Sequence, residues 1–134
     1  MAVVDTWEVQ KAVYSALVAA NVAGGRVFDR RRDDKDYPNV SIGPATDVND
    51  DTVDGDGLTH VMTLDVWDSP TKDAHNVGFK NVKQVKAEIR AALHQKNLTV
   101  TGLASCISYE IGGTDLMDGD SRHSVVRVEL HCRV

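Results

Sequence analysis

The chain has 134 residues, the length of one ordinary domain, and has no room for two separate cores. Apolar residues make up 42% of it and aromatic residues only 5%, so the core is modest and association would help to cover it. The net charge of -5 is matched by five carboxylates in one stretch (Asp47, Asp50, Asp51, Asp54 and Asp56), which argues against nucleic-acid binding by bulk charge. The opening Met-Ala-Val-Val-Asp has no basic run and no apolar run. No apolar stretch approaches the roughly 18 residues that span a bilayer, so neither an export signal nor a membrane span is expected.

Asp5 can cap a first helix, with Glu8 as its capping-box partner. Val9, Val13, Ala16, Leu17 and Ala20 form one apolar stripe, flanked by Trp7 and Tyr14, and Asn21 with Gly24-Gly25 ends the helix. Val27-Phe28 begins a short strand, and a charged loop follows from Arg30 to Asp36. Behind Pro38, Val40 and Ile42 alternate with Asn39 and Ser41 in a second strand. Residues 47–57 show no apolar period and end in Asp54-Gly55-Asp56-Gly57, which predicts a long loop. Met62, Leu64 and Val66 mark a third strand, closed by Ser69-Pro70.

A second helix is predicted over about Ala74 to Gln95. Phe79, Val82, Val85, Ile89 and Leu93 form its buried stripe, with Lys80, Lys83, Lys86 and Arg90 on a wetter face. Leu98 and Val100 lead into a strand with Ile107, Tyr109 and Ile111. Gly112-Gly113 and Asp118-Gly119-Asp120 make the turn, and Val126, Val128, Leu130 and Cys132 alternate with polar residues in the last strand. The predicted fold class is α+β in the order α-β-β-β-α-β-β, a single domain over 1–134. It has a mostly antiparallel sheet of about four to five strands with two helices packed on one face. A hairpin turning near Leu116–Met117 would set Cys106 opposite about Arg127 and Cys132 opposite about Thr101. The thiols would not meet, and both are expected to be free, in a reducing compartment.

Candidate chemistry is sparse. Counted from Asp47, an EF-hand loop fails, with Thr52 at the glycine position and Leu58 at the glutamate position. Asp115, Asp118 and Asp120 form a smaller acidic turn. His60, His75, His94, His123 and His131 include no helical metal-binding pair, and there is no Cys-x-x-Cys. Ser69, Ser105 and Ser121 lack a nucleophile elbow, and Gly24-Gly25-Arg26 is not a phosphate loop. Asp65 and Glu110 could pair across the sheet, but no pocket is evident. No catalytic, metal or cofactor residues are therefore assigned. The candidate protein-interface residues are Arg30, Arg31 and Arg32, whose charge is offset by the aspartates that follow; the loop carboxylates Asp50, Asp51, Asp54 and Asp56; and Arg127, Glu129 and His131 on the polar face of the last strand.

The joint pattern resembles the small tail-terminator (tail-completion) proteins of long-tailed bacteriophages and prophage-like particles. It is carried by the helix Val9 to Leu17, the segment Gly25-Arg26-Val27-Phe28-Asp29 and the strand Tyr37 to Gly43. Leu64-Asp65-Val66-Trp67, the helix end Ile89 to His94, and Leu98-Thr99-Val100 complete it, over about residues 7–134. The resemblance implies a homo-hexameric ring without catalytic residues at the head-proximal end of a virion tail, assembled in the host cytoplasm. Its partners would be the tail tube protein and the head connector or stopper protein, with DNA passing through the channel without specific binding. The alternatives are another neck or head–tail joining protein or, in a different class, a small cytosolic enzyme or ligand-binding domain with a pocket of His60, Asp65 and Trp67.

Overall fold

The computed structural model describes residues 3–31, 36–69 and 79–134; Arg32, His75 and the predicted start of the second helix at Ala74 lie outside them. Helix α1 runs over Thr6–Ala19, with the Asp5 carboxylate accepting from the Trp7 N–H at 3.0 Å. Glu8 pairs with Lys11 at 2.8 Å. Val9, Val13 and Leu17 are buried, while Ala20 at the end of the predicted stripe is exposed. Asn21 turns into the left-handed region and a 3-10 turn follows over Val22–Gly25. Helix α2 is Lys80–Leu93, with Val82, Val85, Ile89 and Leu93 buried on the predicted stripe.

Six strands form one sheet. They are β1 (Val27–Phe28), β2 (Asn39–Asn49), β3 (Gly57–Asp68), β4 (Lys96–Asn97), β5 (Ser105–Asp118) and β6 (Ser121–Arg133), in the spatial order β1-β2-β3-β6-β5-β4. β1 runs parallel to β2 and every other pair is antiparallel, so the sheet is mixed, with one strand more than the upper prediction. Val40, Ile42, Met62, Leu64, Val66, Val126, Val128 and Leu130 point to one side. They meet the apolar stripes of both helices in a single core.

Three details correct the sequence reading. β2 continues to Asn49, and the predicted loop shrinks to residues 50–56. From Pro44 to Asn49 this strand is exposed, so no buried face imposed an apolar alternation on its sequence. The predicted strand led in by Leu98 and Val100 begins only at Ser105, and a separate short strand precedes it at Lys96–Asn97. Finally, β5 continues through Gly112-Gly113, which take no part in the turn; the hairpin turns at Gly119-Asp120, within the predicted Asp118-Gly119-Asp120.

Ile111 is the extra residue of a bulge in β5. A Cβ on Gly113 would lie 2.4 Å from the Val125 carbonyl oxygen, so glycine serves close strand approach there rather than a turn. The later turn and the bulge shift the register. Cys106 lies directly opposite Cys132, the reverse of the expectation that the thiols stay apart. Both are free and buried, as small core residues.

Candidate protein interface

The helices cover one face of the sheet, and the odd-numbered residues of β3 and β6 occupy the other. Arg127, Glu129 and His131 are on this second face. Arg127 is exposed; the Glu129 carboxylate lies 3.0 Å from His131, whose ring meets Tyr109 edge-on. Toward the Trp67 end the face is closed by a stack. Trp67 lies parallel to His123 at 3.8 Å, and the Arg31 guanidinium is 3.8 Å from its ring centroid. His123 Nε2 is 2.7 Å from the Asp65 carboxylate, and the Trp67 indole N–H donates to Ser41 Oγ at 3.3 Å. The Arg31 guanidinium thus rests on the Trp67 ring at the sheet surface, and Arg30 and Arg31 are both exposed.

The aspartate tip is a tightly folded turn. The Asp51 N–H donates to the Asn49 side chain at 3.0 Å, and the Asp51 carboxylate accepts from the Gly57 N–H at 2.9 Å. Thr52 and Gly55 close the turn through two backbone bonds. The Asp50 carboxylate pairs with Arg133 at 3.0 Å, and Asp47, on β2, hydrogen-bonds buried His60. Three of the five carboxylates are thus engaged, and among the described residues Asp54 and Asp56 are without side-chain partners. The candidate residues do not form one patch. The tip lies beside Arg133 and the Arg31 loop beside Trp67, about 33 Å apart along β3 at the usual strand rise.

Sequence reasoning missed the ion pairs between α2 and β5. Lys86 Nζ is 3.0 Å and Lys83 Nζ 3.9 Å from the Asp115 carboxylate, and Arg90 pairs with Glu110. The supposedly wet face of α2 is therefore partly docked against β5. Asp115 also accepts from Ser124 Oγ at 2.6 Å, and this bond, with the Lys86 charge, holds its carboxyl below the usual carboxylate range against the opposing effect of burial. The only sequence signal was complementary sign on two elements far apart in the chain. Asp65 and Glu110 do not pair; each has a basic partner instead.

Also missed were exposed apolar side chains. Trp7, Tyr14 and Val18 follow one face of α1, and Ile111, Leu116 and Met117 lie on β5. A groove of about 460 Å³ runs beside Trp7, Tyr14, Val27, Phe28 and Ile42. Both sheet edges are largely open among the described residues. β1 pairs only with Val40 and Ser41, and β4 only with Ile107 and Ser108. The bulges and Pro44 on those edges discourage indiscriminate strand addition. The pocket that would have favoured an enzyme does not form. His60 points to the helix-covered face and Asp65 and Trp67 to the other. Among the described residues, no three His, Cys, Asp or Glu side chains are grouped as if to hold a metal.

None of the curated proteins compared matches the chain. Solved structures do match, in 12 chains, among them one from the virion of a native gene transfer agent particle. That likeness has a TM-score of 0.74 at 21% identity and covers 93% of this chain and 94% of the other, which establishes a shared fold. The model of the family described as tail completion protein gp17 matches residues 11–134, nearly the whole folded unit. The chain belongs to this tail-completion family, as a structural protein of a virion tail and not an enzyme.

Proposed function

We propose that this protein is a tail terminator. Copies close into a ring, of six subunits in the simplest reading, that covers the head-proximal end of the tail tube and stops its growth. The second face of the ring receives the head connector, and DNA passes through the channel without specific contacts. The observation that carries this reading is the family match over residues 11–134, which spans the domain and not a fragment of it. The surface supports it, because work done by shape needs edges and patches rather than a pocket. The open parts of β2 and β5 and the apolar side chains of α1 and β5 supply them. Arg30, Arg31 and Arg32, the tip carboxylates, and Arg127, Glu129 and His131 would form polar rims around these contacts.

Removing the gene from a producing strain tests the reading. Tail tubes of uncontrolled length, unattached to filled heads, are the expected result, restored by the wild-type chain in trans. Tails of normal length that fail only to join heads would assign the chain to another neck position. Normal tails on normal heads would refute a role at the tail end altogether.

A further inference from the structure

We propose that Cys106 and Cys132 are an oxidation site, where exchange with a small disulfide such as oxidised glutathione closes a covalent link between β5 and β6. The residues are direct cross-strand partners, with sulfurs 3.6 Å apart. The Cys106 carbonyl accepts from the Leu98 N–H at 2.7 Å, and its own N–H donates to the Asn97 side chain at 3.2 Å. Both backbone groups of Cys106 thus face the β4 side. Toward β6 it meets Cys132 as a non-hydrogen-bonded pair, the kind in which antiparallel strands bring Cα atoms closest, about 4.5 Å apart. That separation lies inside the range of roughly 4.4–6.8 Å that a disulfide bridges. The ladder holds the strands in place, so closure needs rotation of two side chains and no movement of the sheet.

The two thiols are not equivalent. Their mutual hydrogen bond, with burial adding to it, pushes the Cys106 thiol up. The same bond pulls Cys132 down against burial and the Asp47 charge. That bond favours Cys132 as the attacking thiolate. Both sulfurs are buried, so an oxidant reaches them through local opening of the sheet edge, where, among the described residues, just the two-residue strand Lys96–Asn97 lies outside Cys106.

The Cys132 thiolate attacks one sulfur of oxidised glutathione, forming a mixed disulfide and expelling one glutathione thiolate. Cys106 then loses its proton to solvent and attacks the Cys132 sulfur, expelling the second. The protein dithiol loses two electrons, and the small disulfide is reduced to two thiols. In a reducing cytoplasm the site stays open, and in a particle outside the cell it closes; that timing rests on the virion reading, while the exchange itself does not.

The test uses the folded full-length chain, incubated with oxidised glutathione at about pH 8, where thiolate is accessible. Peptide mapping should show Cys106 joined to Cys132 within one chain, with no glutathione retained. The melting temperature should rise by about 10 °C and fall back with dithiothreitol. Cys106→Ser and Cys132→Ser, taken singly, should show no such rise. Should either fold poorly, the wild-type map still decides. Thiols that stay open to alkylation, a lasting glutathione adduct, or links between chains would each overturn the proposal. Failure here leaves the ring untouched, and a missing ring would leave this peptide map unchanged.

Discussion

At the scale of single residues, Asp115 shows how much depends on a partner that the local sequence does not announce. Its carboxylate joins β5 to Ser124 of β6 and Lys86 of α2, and its folded pKa lies below the ordinary value of 3.8. A depressed carboxylate contributes stability that is fully present above its unfolded pKa and lost as pH falls through the folded one. Asp115→Asn should therefore cost about 1–2 kcal/mol at about pH 7. The gap between variant and wild type should close below about pH 4. Urea unfolding at both ends of that range checks this, and a gap that does not change with pH would count against the assignment.

The tip offers a contrast within a few residues. Asp51→Ala removes the acceptor of the Gly57 N–H and should destabilise by about 1 kcal/mol. Asp54→Ala should stay within about 0.5 kcal/mol of wild type, since its carboxylate has no partner among the described residues. Equal effects in thermal unfolding would show that the whole tip is merely solvated. Sequence reasoning took all the aspartates of this stretch as one acidic loop, because charge alone does not reveal which carboxylates a turn will use.

Among the elements, legibility followed burial. The α2 stripe and the alternation of β6 were readable because one face of each is covered by the core, which imposes a period of 3.6 or 2. Ile89→Ala, at the centre of that stripe, should cost about 2–5 kcal/mol. The outer half of β2 carried no such pattern because no layer covers it, and the bulge in β5 looked like a turn because glycine serves both. Gly113→Ala separates those two roles. Its Cβ would meet backbone, which cannot swing aside, so a loss of about 1–3 kcal/mol is expected. Were Gly113 only a loop residue, alanine would be tolerated, and chemical denaturation would show no loss. The turn was also placed too early, near Leu116–Met117 instead of Gly119-Asp120, and this misplaced Cys106 and Cys132, because moving a turn shifts every pairing in the hairpin; the bulge takes back one residue and so sets Cys106 against Cys132 rather than Arg133.

For the molecule as a whole, the sequence conveyed class and family better than contacts. Helix–sheet alternation and the order of short motifs were sufficient for the α+β class and the tail-completion family, while the interface residues it singled out fall in separate regions of the surface. The exposed apolar residues of β5 point to association instead. Leu116→Asp with Met117→Asp should leave the melting temperature of the isolated chain nearly unchanged, because neither side chain belongs to the core, and should sharply reduce ring assembly. Native mass spectrometry of that variant reads both the fold and the ring. The most direct measurement, however, is cryo-electron microscopy of purified particles with this chain located by its fold. The account predicts a closed ring of six copies between the last tube ring and the head connector. Particles in which the chain is absent from that junction, or present there as a single copy, would contradict it.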